Sequence, residues 1–474
     1  MKMKKAWLGI ILSAVVMVAA SGCGEKKEQS AKEDAGQETV DKADSESTEK
    51  EEQADVQDDG EQALLDTASA LVEDLVKGDY SKISEDYEFE ATMKAAVESG
   101  QLEGAMKPAM EALGELKSTK TPWVGENTDQ YTNIYVPCEF ANQPCNMMIS
   151  FTADGLIGGI FTKEYQEGKE EAKLPESVEE KELNLEIADN RTLPGTFAVP
   201  KNLHKYPAVV FVHGSGPNGR DETVGLNKPF RDLAWGLAKQ GIASFRYDKV
   251  TYVYGEEVAA DKEFTVYDET VNDAVKAAAL LKKQEGVSKV YILGHSQGAM
   301  MMGAIAQGAE PDGCIMMAGP TGNFAEMMER QYQFIESLNT DATDEEKAYY
   351  EKAYAEIDKM KMLETLPEDT TVMGMSLPYL QSILGYDTVG EAQKINAPVL
   401  VLQGEEDYQV TMDDYKVWQD SFKDKENWHF TSFPGLTHLF MEGKYEEGPA
   451  SYEVAQHIPD EVIDVIAGFI KDTE

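Results

Sequence analysis

The chain reads as an α/β protein, a mostly parallel sheet covered by helices on both faces, preceded by a small α+β domain. Three features predict this. From residue 183 onward, short runs of Val, Ile, Leu and Phe alternate with longer stretches of helical spacing, and such alternation builds parallel strands joined by crossover helices. Residues 62–165 show a different order, helical spacing first and strand-like runs afterwards. Between the two lies a Glu- and Lys-rich stretch, 167–180, with little to bury, and it reads as an interdomain linker.

With 474 residues, 42% of them apolar, the chain can build two or three domains with proper cores. A formal charge of -44 excludes a nucleic-acid partner, because binding a phosphate backbone needs a basic stripe. The acidity reads as a solvated surface and an acidic tether, the alternative being an acidic patch that serves a cationic ligand. The chain opens Met1-Lys2-Met3-Lys4-Lys5, and the apolar run at 6–20 is too short to span a bilayer but suits a signal-peptide core. That run ends Ala20-Ser21-Gly22-Cys23, which resembles the lipobox of bacterial lipoproteins. The resemblance implies a signal peptide and lipobox at 1–23, lipidation at Cys23, and an exported protein anchored by acyl chains to the outer face of the cell membrane. Residues 24–61 carry almost nothing apolar and read as a disordered linker.

In the domain at 62–166, Leu64, Leu65, Ala68, Leu71, Val72, Leu75 and Val76 recur at helical spacing. A second helical region spans 90–116, broken near Gly100 and Gly104, and strands follow at 131–140, 145–151 and 157–162. Helices followed by an antiparallel meander resemble the nuclear-transport-factor-2-like superfamily, in particular the uncharacterised domain found in front of bacterial exported hydrolases. No catalytic constellation is visible here, so a binding or spacing role is expected. If Ala141 and Asn142 turn a hairpin, Cys138 and Cys145 fall directly opposite one another. They are then either a disulfide, which export permits, or two half-buried free thiols. No His or further Cys lies near enough to suggest a metal. Cys314 reads as core.

Beyond the linker, from 181 to 474, strands are expected at 183–186, 195–199, 208–212, 242–246, 290–293 and 314–318, with helices at 228–239, 267–283 and 297–306. After an interruption the alternation resumes with strand 398–403, helix 412–422, strand 428–433 and a closing helix at 453–470. In open α/β sheets the chemistry gathers at the carboxyl ends of the strands.

The polar motifs fall at those ends. Strand 290–293 runs into Gly294-His295-Ser296-Gln297-Gly298 and a small-residue helix. A serine on so sharp a turn is thrust outward, and the flanking glycines leave room for it. Ser296 is the candidate nucleophile. With strand before and helix after, the motif resembles the α/β-hydrolase superfamily, and more narrowly its exported carboxylesterases with Gly-His-Ser-Gln-Gly elbows.

A serine hydroxyl needs a base. The resemblance implies His438, on the loop after the last strand in Phe433-Pro434-Gly435-Leu436-Thr437-His438, whereas His204, His429 and His457 read as structural or solvated. The base needs a carboxylate to fix its tautomer. Gly404-Glu405-Glu406-Asp407 follows strand 398–403, and the family pattern puts the acid at Asp407, with Glu405 and Glu406 as surface charges. The oxyanion needs two backbone N–H groups, expected from Gln297 and from Ser215 in His213-Gly214-Ser215-Gly216-Pro217. His213 shapes that turn, while Arg220-Asp221 and Arg246-Tyr247-Asp248-Lys249 hold the pocket rim. Residues 320–396, helical and rich in Met, Tyr and Leu, occupy the place of a cap. Most of their apolar side chains pack, and a few line an apolar pocket.

The resulting expectation is a serine hydrolase that cleaves carboxylic esters through an acyl-enzyme, with no metal and no organic cofactor. The alternatives are a peptidase, amidase or thioesterase with the same triad, or a non-catalytic binding lipoprotein on a hydrolase scaffold.

Overall fold

The structure is a computed structural model that describes residues 49–78, 80–125, 131–163, 165, 173–187, 191–340 and 342–473. The expected signal peptide, Cys23 and the tether up to residue 48 lie outside the described residues. The chain divides after residue 172 into two compact units.

The first unit opens with the helix Glu49–Lys77, which starts inside the stretch expected to be disordered. Glu, Lys, Gln and Ala are strong helix formers, and extending an existing helix adds a hydrogen bond per residue without a new nucleus. Ala68, Leu71, Val72 and Leu75 form its buried stripe, spaced i, i+3, i+4, i+7. Helices Tyr80–Asp86, Ala91–Glu98 and Gln101–Leu113 follow. The chain breaks at Gly100, where φ is 75°, a conformation glycine adopts freely; Gly104 stays inside the last helix.

Strands Leu116–Thr119, Thr132–Phe140, Cys145–Phe151 and Ile157–Lys163 lie side by side and antiparallel, with Trp123–Val124 also on Thr132–Phe140. Leu116–Thr119 and Trp123–Val124 escape the sequence reading because they are too short to show alternation. Cys138 sits directly opposite Cys145, but both are free, buried thiols. The Cys138 thiol donates to the Val136 carbonyl of its own strand at 3.2 Å, so the bridged alternative is not the one observed. Burial pushes the Cys138 thiol up to about 12 and the Cys145 thiol up to about 11.

The second unit is built on an eight-stranded sheet. Its strands are β1 (Val178–Glu182), β2 (Gly195–Pro200), β3 (Tyr206–Val212), β4 (Ala243–Tyr247), β5 (Val287–His295), β6 (Gly313–Met317), β7 (Val399–Gly404) and β8 (Trp428–Phe433). They lie in the order β8-β7-β6-β5-β3-β4-β2-β1. β2 runs antiparallel to both its neighbours, and every other pairing is parallel.

Alternation along β3 explains the two covered faces. Val209 and Phe211 join Phe230, Leu233, Leu237, Ile463 and Ile466 in one apolar cluster. Ala208, Val210 and Val212 join Ala274, Ala277, Leu281 and Ile305 in the other. The helices on one face are therefore Pro229–Lys239 and Asp460–Asp472, and on the other Asn272–Leu281 and Met302–Ala309.

Three expectations move. The first sheet strand is β1, which begins inside the expected linker and runs two residues past its end; as an edge strand with one buried apolar residue, Val178, it carries no alternation to read. The expected helix at 267–283 opens with a π turn, Tyr267–Val271. The closing helix starts at Asp460 and not at 453, because Pro459 immediately precedes its first residue.

Between β6 and β7 the cap comprises helices Phe324–Leu338, Asp344–Met360 and Leu377–Leu384 with a hairpin of Thr371–Val372 and Met375–Ser376. Its Met328, Tyr332, Ile335 and Met360 share a cluster with Tyr408, Val410, Leu439 and Phe440, so the cap packs on the loops that follow β7 and β8.

Candidate active site

β5 ends at His295, and Ser296 follows with φ 51° and ψ -113°. A non-glycine residue held there stores strain of about 1–3 kcal/mol, and the surroundings explain how it persists. A Cβ on Gly298 would lie 2.3 Å from the Val212 carbonyl oxygen, and one on Gly294 would lie 2.4 Å from the backbone of Gly298. The two glycines thus let β5, β3 and the following helix approach closely enough to force the turn. Ser296 N–H donates to the Met317 carbonyl at 2.9 Å.

Asp407, 1% exposed, lies on the loop after β7. One of its oxygens accepts the N–H groups of Gln409 at 2.8 Å and Val410 at 2.9 Å. The other accepts from Gln403 Nε2 at 3.1 Å and from His438 Nδ1 at 2.7 Å. A carboxylate only accepts, so the proton of His438 sits on Nδ1 and Nε2 is left as the basic nitrogen. Glu405 instead accepts from Ser432, and Glu406 from the Tyr445 N–H. Of the three acids, Asp407 is the one joined to His438.

His438 is held beside the elbow through its backbone. His295 Nε2 donates to the His438 carbonyl at 2.9 Å, and the two rings lie 4.6 Å apart. Among the described residues no hydrogen bond joins the Ser296 hydroxyl to His438; catalytic hydrogen bonds of this kind tighten when substrate binds.

Of the two expected oxyanion donors, Gln297 N–H is the first of the helix Gln297–Met300, so it has no partner within the helix. At the end of β3, Gly214 N–H is taken by Glu222 Oε1 at 2.6 Å. The next N–H, that of Ser215, makes no backbone hydrogen bond among the described residues. Of the expected rim residues, Arg220 grips both oxygens of Asp248, at 3.1 Å and 2.8 Å, and Arg246, in β4, pairs with Asp221 and with Glu180 of β1.

Two buried ion pairs flank the oxyanion turn, and sequence reasoning found neither. Glu222 Oε2 approaches His295 Nδ1 to 2.9 Å, off the line of an ideal hydrogen bond. Burial raises the Glu222 carboxyl, but His295 and the Gly214 N–H bring it below its ordinary value. Lys249 Nζ lies 2.8 Å from Glu269 Oε1 with both side chains 3% exposed, and it donates to the Gly214 carbonyl at 2.6 Å. Glu269 Oε2 accepts from Gln297 Nε2 at 2.8 Å and from the Tyr379 hydroxyl of the cap. Those bonds and the Lys249 ammonium hold the Glu269 carboxyl low against burial. Among the described residues no cluster of three His, Cys, Asp or Glu side chains is arranged to hold a metal ion.

Comparison with known proteins yields a family model described as serine aminopeptidase, S33, matching residues 206–444. A second model, for a family of unknown function, DUF3887, matches residues 68–160. The chain is 36% identical over 334 residues to esterase EstD of Thermotoga maritima, an alignment covering 69% of this chain and 77% of that protein. Among solved structures, Est1E from Butyrivibrio proteoclasticus matches 62% of this chain and 98% of its own, at 18% identity and a TM-score of 0.40. A puromycin-hydrolyzing peptidase of Mycobacterium tuberculosis matches 72% of this chain and 46% of its own, at 17% identity and a TM-score of 0.40.

Proposed function

The chain belongs to the serine aminopeptidase S33 family of α/β-hydrolases, and from that membership we propose that it is a serine esterase acting on carboxylic esters through an acyl-enzyme. Ser296 attacks the ester carbonyl while His438 Nε2 takes its proton. Asp407 holds the imidazole in the reactive tautomer and stabilises the imidazolium, and Ser215 and Gln297 N–H receive the oxyanion. His438 then returns the proton to the leaving alcohol, and water repeats the sequence to release the acid.

The observation that carries this reading is the 2.7 Å bond between Asp407 and His438, made after β7 and β8 at the same carboxyl edge of the sheet as the strained elbow after β5. The 36% identity to an esterase supports esters over peptides. Ser296→Ala is expected to lower ester turnover by at least about a thousandfold, and a fluorophosphonate to label Ser296. Wild-type turnover in the variant, or a label elsewhere, overturns the assignment. Matched ester, amide and thioester substrates rank the bond cleaved.

The first unit serves as a spacer or binding domain of nuclear-transport-factor-2-like type, and Cys23 carries the lipid anchor. Support for the anchor is the basic start, the apolar run at 6–20 and Ala20-Ser21-Gly22-Cys23. Cys23→Ala should move the protein from the membrane fraction to the soluble exported fraction.

A further inference from the structure

Resting on the reading of Ser296, His438 and Asp407 as the triad, we propose that Lys249 and Glu269 form a buried positioning pair that aims both oxyanion donors and links them to the cap. The carbonyl of Gly214 and the N–H of Ser215 belong to one planar trans peptide and point in opposite directions. Lys249 Nζ, 2.6 Å from that carbonyl, therefore fixes where the Ser215 N–H points. An ammonium on the carbonyl also polarises the peptide and strengthens its N–H as a donor.

The same ammonium pairs with Glu269 at 2.8 Å, and Glu269 grips the second donor residue through Gln297 Nε2, itself further fixed by Thr270 Oγ1 at 2.9 Å. The two halves of the oxyanion hole come from β3 and from the elbow after β5, and one ion pair spans them. Tyr379, on the cap helix Leu377–Leu384, donates to the same Glu269 oxygen, Oε2, that Gln297 holds. Glu269 itself sits in the π turn Tyr267–Val271, a local widening common at functional sites. Stability alone does not require the pair, since well-packed apolar residues of similar volume often serve a core as well or better.

The test uses the full chain, an ester substrate and phenylboronic acid, whose tetrahedral adduct with the serine resembles the intermediate. Lys249→Met is expected to lower kcat about a hundredfold, as loss of an oxyanion donor does, with KM little changed and the boronate inhibition constant raised by a similar factor. Lys249→Met/Glu269→Gln removes both charges. It should recover most of the unfolding midpoint lost in Lys249→Met yet stay as slow, and it serves alone should the single variant not fold. Recovery of kcat together with stability, or an unmoved boronate constant in a folded variant, overturns the proposal. Ser296→Ala runs alongside: wild-type turnover there sinks the triad and the pair with it, whereas an inactive Ser296→Ala beside a fast Lys249→Met sinks the pair alone.

Discussion

His213 directly follows β3 and His295 ends the neighbouring parallel strand β5, the register pairing Val212 with Gly294, and both are buried. Their charge states nevertheless diverge. His213 packs its ring 5.0 Å from Phe230 and 5.5 Å from Tyr247, its Nε2 has no partner among the described residues, and burial pushes its pKa down to about 4. For His295 burial also pushes down, but Glu222 at 2.9 Å and the His438 carbonyl at 2.9 Å overcome it and raise the value. At equal burial the partner decides. The ring of His213, kept toward its neutral form, packs the turn, while that of His295, whose charged form is favoured, ties the elbow to the Gly214 turn through Glu222 and to the base loop through the His438 carbonyl.

A third buried histidine, His438, offers the sharpest way to break this comparison. Its carboxylate partner sets a tautomer, so Asp407→Asn should cut turnover by about ten-thousandfold, while Glu406→Gln should stay close to wild type because its partner is the Tyr445 N–H. Steady-state rates for both variants decide it, and the opposite ranking would transfer the acid to 406. Next in size is Glu222→Gln, which strands the His295 charge in the interior and should cost about 3–5 kcal/mol in urea unfolding. Adding His295→Gln should return part of that loss; a Glu222→Gln variant as stable as wild type would mean that His295 is not held charged.

The two sides of the site also differ in how far the sequence announces them. Ser296, Asp407 and His438 each follow a readable apolar strand, and the motif residues lie within a few positions of its end. The fold, the strained elbow at Ser296 and the pairing of Asp407 with His438 are legible for that reason. Glu222 meets His295 across 73 positions, and Lys249 meets Glu269 from a strand end into a π turn, so no local pattern marks either carboxylate as buried. Glu222 even holds φ at 51°, a conformation invisible in a one-letter code. Short edge strands such as β1 hide for a related reason: with a single buried side chain there is no period to detect.

The neutral member of the pair makes a pH prediction. His213 titrates near 4 in the fold against 6.5 for the free side chain, so the unfolded chain takes up protons first as the pH falls. Its contribution is full above about 6.5 and is lost as the pH drops through about 4, amounting to about 3 kcal/mol. Urea unfolding of His213→Leu between pH 7 and pH 4 should therefore decline less steeply than wild type by that amount. His295 works in the other direction, its contribution being present below about 6.5 and lost as the pH rises through its raised folded value. Parallel acid limbs in wild type and His213→Leu would show that burial does not keep His213 neutral.

His457 sharpens the comparison from its weak end, because it has a carboxylate partner without the burial. Its Nδ1 lies 2.9 Å from Asp232, nearly the spacing of Glu222 and His295, but its side chain is 47% exposed. Water screens such a pair, and exposed pairs contribute about 0–1 kcal/mol. Asp232 moreover keeps hydrogen bonds from Arg231 at 3.1 Å and from the Ile458 N–H at 3.3 Å when the imidazole is removed. His457→Gln should thus change unfolding by no more than about 0.5 kcal/mol and leave turnover as it was. A loss approaching that of Glu222→Gln would show that the partner acts without burial, and the contrast between His213 and His295 would then need a different cause.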